Sequence, residues 1–140
     1  MLLDKLNYSL FVDEILKIFF ETFGESICFV KKSEQLGQRN YFKIDFKYIP
    51  LKYMIVLESD RNVFSIDIYD DEGAKNSLYR LEKFDNQTEI KKIAYAIEKL
   101  KEVLDENDFC FYVTKGGKTY KKEKQKYQRI RSLADIIRNE

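Results

Sequence analysis

A chain of 140 residues that is 44% hydrophobic and 35% charged is long enough for one packed core and too apolar to stay disordered. It contains no histidine, which removes the imidazole on which most acid–base catalysis, nucleophile activation and zinc binding depend. The formal charge of +1 conceals a division: residues 1–114 carry 16 Lys and Arg against 21 Asp and Glu, whereas 115–140 carry 9 against 3, an acidic body with a basic tail.

Asn7 or Ser9 caps a predicted helix running to Phe23, with Gly24 as its left-handed terminator. Leu10, Phe11, Val12, Ile15, Leu16, Ile18, Phe19, Phe20 and Phe23 leave only a narrow polar stripe of Asp13, Glu14, Lys17 and Glu21. Such a helix is either enclosed by the fold or meets another copy, giving a homodimer through the N-terminal helix. Asp4, Asp13 and Glu14 interrupt the apolar N-terminus, so it does not read as a secretory signal. No apolar run approaches bilayer length, and the expectation is a cytoplasmic protein without a membrane partner.

A short strand over Ser26–Lys32 and a polar loop over Ser33–Asn40 precede the most regular part of the chain. In Tyr41–Tyr48, Phe42, Ile44, Phe46 and Tyr48 alternate with Tyr41, Lys43, Asp45 and Lys47, a half-buried strand. Tyr53–Leu57 is apolar on both faces and belongs in the middle of the sheet, while Val63–Tyr69 alternates again. Ile49-Pro50-Leu51 and Ser59–Asn62 supply the turns. Beyond the acidic turn Asp70–Gly73, weak alternation over Leu78–Phe84 suggests an edge strand.

The clearest helix starts at Asn86 or Thr88 and runs to about Asp105, with Ile90, Ile93, Ile97, Leu100 and Leu104 on one face. Phe109–Val113 and Thr119–Lys122 follow as strands joined through Gly116-Gly117, a two-residue hairpin turn. A last helix is expected from about Lys124, presenting Tyr127, Ile130, Leu133, Ala134 and Ile137. The sum is an α+β fold, a mainly antiparallel sheet of five to six strands packed with three helices in the order helix, strands, helix, strand hairpin, helix. It forms a single domain over 1–140 with a basic C-terminal hairpin and helix, 115–140.

No constellation calls for a catalytic residue, a metal or a cofactor. Cys28 and Cys110 read as buried thiols, too far apart in sequence for a metal knuckle. Asp67, Asp70, Asp71 and Glu72 depart from calcium-loop spacing and read as a solvated acidic turn; the alternative is a carboxylate–metal enzyme. Thr114–Thr119 is similar to the end of a phosphate-binding loop, but Tyr112 stands where the loop's first glycine is required, which favours a hairpin turn.

Two surfaces remain. The polar face of the meander, with the acidic turn, offers Tyr41, Lys43, Asp45, Lys47, Asp67, Tyr69, Asp70, Asp71 and Glu72, tyrosines among charges of both signs, which suits recognition of a protein partner. The basic tail offers Lys118, Lys121, Lys122, Lys124, Lys126, Arg129 and Arg131 to a nucleic-acid backbone. In this general profile the chain is similar to bacterial immunity proteins, which neutralise a cognate toxin by binding it. Its element order is also comparable to that of secretion chaperones. The expected function is therefore a non-catalytic protein-binding protein of the immunity or inhibitor kind. The alternatives are a nucleic-acid-binding protein using the basic tail and a secretion-chaperone-like binding protein.

Overall fold

The computed structural model describes residues 5–35, 41–123 and 126–130, with side chains over 10–35 and 41–122. Eight strands form one antiparallel sheet in chain order: β1 (Ile27–Gln35), β2 (Tyr41–Tyr48), β3 (Tyr53–Asp60), β4 (Val63–Tyr69), β5 (Lys75–Ser77), β6 (Phe111–Lys115), β7 (Lys118–Glu123) and β8 (Lys126–Ile130). Helices α1 (Lys5–Phe23) and α3 (Ile90–Glu106) are long; α2 (Leu78–Leu81) is a single turn. The fold class is α+β with an antiparallel sheet, as the sequence implies.

The alternation within β2 decides which face the helices cover. Phe42, Ile44 and Phe46 are fully buried, and in register beside them lie Leu57 and Ile55 of β3, then Ile66 and Ile68 of β4. Val12, Ile15 and Phe19 of α1 close over this face with Ile93, Ile97 and Leu100 of α3. Phe19 stacks on Phe46 at 4.1 Å between ring centroids. Each such side chain contributes about 1.5–3 kcal/mol before conformational entropy is subtracted. The sheet and α3 enclose most of the wide apolar surface of α1, leaving Leu10 and Phe20 exposed.

Backbone stereochemistry places the ends of the elements. Gly24 takes φ +57° after α1, and Asn107 takes φ 48° after α3. Arg61-Asn62 and Gly116-Gly117 both have positive φ at two successive residues, the geometry that joins twisted strands through a two-residue turn.

Several expectations are corrected. Helix α1 begins at Lys5, so Asn7 and Ser9 lie within it rather than capping it, and α3 begins at Ile90 after Glu89 rather than after Asn86 or Thr88. Among the described residues the sheet has eight strands rather than five to six. Leu78–Phe84 is not an edge strand: the Ser77 hydroxyl accepts from the Arg80 amide at 3.2 Å, capping a helical turn that tucks Leu78 into the core. The helix expected from Lys124 is contradicted over Lys126–Ile130, which pairs with β7 as β8; residues 131–140 lie outside the described residues. Tyr127 and Ile130 stand at helical spacing, but pairing with β7 prevails over that local signal. Strand β1 extends to Gln35, so Ser33–Gln35 is strand rather than loop. Cys28 is exposed, because it points away from the helices on an edge strand; Cys110 is buried as expected. No helix among the described residues is long and apolar enough to cross a membrane.

Candidate interaction surface

The face of the sheet turned away from α1 and α3 carries the residues that alternate with the core. Strand register aligns Lys31, Asp45, Val56, Asp67 and Ser77 in one row across β1 to β5. Val56 is 9% exposed, and it stands between Asp45 and Asp67, whose backbones are two strand spacings, about 10 Å, apart. Lys31 Nζ reaches Asp45 Oδ2 at 4.0 Å, and Lys75 Nζ reaches Asp67 Oδ2 at 3.8 Å. Both lysine side chains are more than half exposed, so these pairs compensate the carboxylates weakly.

Asp45 is the most constrained of the group. It is 8% exposed, and its Oδ1 has no hydrogen-bond partner. A buried carboxylate oxygen without a donor costs on the order of 1–3 kcal/mol. Burial raises the Asp67 pKa from its ordinary value; Lys75 opposes this and Glu58 reinforces it. Around the row, Tyr41 donates its hydroxyl to Glu58 Oε2 at 2.9 Å, which fixes the ring across β2 and β3. Lys43 and Tyr69 are half-buried on this face and Lys47 is exposed.

The acidic turn belongs elsewhere. Asp70 Oδ1 accepts from the Glu72 and Ala74 amides at 3.0 and 2.8 Å, a local turn closure. Asp70 Oδ2 accepts from Lys122 Nζ at 2.5 Å, and Glu72 Oε1 accepts from the same ammonium. Lys122 pairs in register with Phe111, so it lies on the helix side of the sheet, 5% exposed. Burial alone would lower its pKa; the hydrogen bonds to Asp70 and Glu72 outweigh that and hold the ammonium well above its ordinary value. Carboxylate oxygens of Asp70, Asp71 and Glu72 lie within 4.8 Å of one another, a spacing that suits a metal ion, but the Lys122 ammonium already bonds two of the three residues. Asp71 is exposed.

The structure thus brings Tyr41, Lys43, Asp45, Lys47, Asp67 and Tyr69 onto one face and commits Asp70 and Glu72 to an internal ion cluster. Of the basic set, Lys118 is exposed, Lys121 and Lys122 are each 5% exposed, and the side chains of Lys124, Lys126, Arg129 and Arg131 lie outside the described residues. Sequence reasoning missed Lys31, Val56 and Glu58. They join the surface only through strand register, and Val56 is masked by lying in a run apolar on both sides. Comparison of the chain with protein-family models, curated proteins and solved structures finds no match.

Proposed function

We propose that the chain is a non-catalytic binding protein of the immunity or inhibitor kind, which engages a basic protein partner with the helix-free face of its sheet. Asp45 carries the reading. A partner's lysine or arginine inserted beside Val56 would give Asp45 Oδ1 the donor it lacks and offset the desolvation of Asp67 in the same contact. Tyr41 and Tyr69 border the row and bring contact area at low entropic cost, and the cross-strand bonds hold the surface in a single arrangement before binding.

The test is calorimetric titration of the purified protein with the product of the adjacent gene, the place where a cognate toxin would be encoded. Asp45→Asn together with Asp67→Asn is expected to weaken binding about tenfold or more, since hydrogen bonds to charged groups contribute about 1.5–3 kcal/mol each. A complex whose affinity is untouched by the double substitution refutes the assignment of this face.

A further inference from the structure

A second opening lies where the sheet is thinnest. Strand β5 meets β6 at one residue pair, Lys75 with Tyr112, because the chain turns into α2 directly after Ser77. Strands β6 and β7 continue past that pair to the Gly116-Gly117 turn. The gap is a cavity of about 350 Å³ lined by Lys75, Ser77, Arg80, Tyr112, Thr114 and Thr119, together with Asn76. That volume falls at the lower end of the range of small-molecule sites, about 300–1,000 Å³.

Cations and hydroxyls face the space, with the Asp67 carboxylate beside it on Lys75. Among the described residues the lining holds two cations, four hydroxyl-bearing side chains and no carboxylate. Arg80 lies over the Tyr112 ring, its guanidinium carbon 5.0 Å from the ring centroid, and its backbone is fixed by the bond to the Ser77 hydroxyl. Thr114 and Thr119 are directly opposed across the β6–β7 hairpin, so their side chains share one face with Tyr112 and Lys75. A guanidinium, an ammonium and opposed hydroxyls around one space match the acceptor oxygens of a phosphate group, which arginine grips through a planar fork and lysine attracts as a point charge.

We propose that this cavity is a binding site for a phosphate-bearing small molecule, with Arg80 and Lys75 neutralising the anion and Thr114 and Thr119 donating hydroxyl hydrogen bonds to its oxygens. The site adjoins the Asp45–Val56–Asp67 row on the same face of the sheet, with Ser77 at the end of the row and Lys75 paired to Asp67, and it is opposite to the row in charge. Asp67 adjoins it through Lys75 and opposes the anion, so removing that carboxylate strengthens binding.

The probes are inorganic phosphate and phenyl phosphate, titrated in chloride buffer into the isotope-labelled protein and followed by amide chemical shifts. Saturable shifts centred on Lys75, Ser77, Arg80, Thr114 and Thr119 are expected. Tighter binding of phenyl phosphate identifies an organic phosphate ester, and equal binding identifies free phosphate. Arg80→Gln is expected to weaken binding about tenfold and Thr114→Val less, with Asp67→Asn tightening it, all against unchanged spectra elsewhere in the protein. Shifts that do not saturate, or affinities unchanged in both Arg80→Gln and Thr114→Val, overturn the proposal. No protein partner enters the measurement, so its outcome does not depend on whether the sheet face binds one.

Discussion

Replacing Lys122 by Met tests the internal ion cluster. The Lys122 side chain is 5% exposed and that of Asp70 is 7%, while Glu72 is 50% exposed. Removing one partner of a buried pair costs about 3–5 kcal/mol, because the remaining charge is left desolvated. Glu72 turns to water and bears little of the loss, so Asp70 sets the magnitude, near the lower end at about 3 kcal/mol. For a chain of this size that is a fall in Tm of roughly 6–12 °C. The compensated variant Lys122→Met/Asp70→Asn/Glu72→Gln is expected to recover most of it, since replacing a buried ion pair with neutral groups of similar shape is often neutral. The pH dependence has a fixed sign. The folded pKa of Lys122 lies above the ordinary lysine value of 10.5, so the stabilisation is complete below that value and is lost as pH rises beyond it. Urea unfolding of wild type and Lys122→Met should therefore converge at strongly alkaline pH. A loss under about 1 kcal/mol at neutral pH, or a compensated variant no more stable than the single one, refutes the reasoning.

Other substitutions probe the remaining features. Ile97 is fully buried on α3, and Ile97→Asp places an unpaired carboxylate in the core; the expected result is loss of the cooperative thermal transition. Asn76 Nδ2 donates to the Cys110 carbonyl at 2.8 Å where β5 and β6 barely touch, so Asn76→Leu leaves a buried carbonyl without that donor and costs about 1–3 kcal/mol in urea unfolding. Gly117 has φ +75°, and Gly117→Val is expected to lower stability by about 1–2 kcal/mol through backbone strain alone, since a Cβ there meets nothing within 4 Å. Asp67→Asn should stabilise the protein at neutral pH. The folded pKa is raised by burial, so ionisation costs stability as pH rises above 3.8, and the gain should vanish below that pH.

What the sequence discloses about this fold is what nearest neighbours decide. The period-two pattern of Tyr41–Tyr48 and Val63–Tyr69 sets those strands to the residue, because burial of one face is written into alternate positions. The spacing of Ile93, Ile97, Leu100 and Leu104 sets the buried face of α3, although the helix starts at Ile90 rather than directly after Asn86 or Thr88. Leu78–Phe84 was opaque because its few apolar residues satisfy a strand and a helical turn about equally, and the Ser77 cap decides between them. Strand β8 was opaque for a different reason: partner strand β7, rather than local spacing, selects its conformation. In the candidate site, Tyr41, Asp45 and Asp67 were visible as a polar face. The Lys122 cluster was hidden, since it joins residues some fifty positions apart whose meeting depends on how β7 lies against the β4–β5 turn.

Because each strand pairs with the one before it in the chain, the sheet grows outward hairpin by hairpin, and the entropic toll of closing each link stays small. The excursion through 78–110 is the exception: it carries α2 and α3 and closes a long loop for one register pair between β5 and β6. The sheet thus divides into five strands closed by short links and three that rejoin through one long excursion, and the seam between them is also the floor from which the cationic cavity opens.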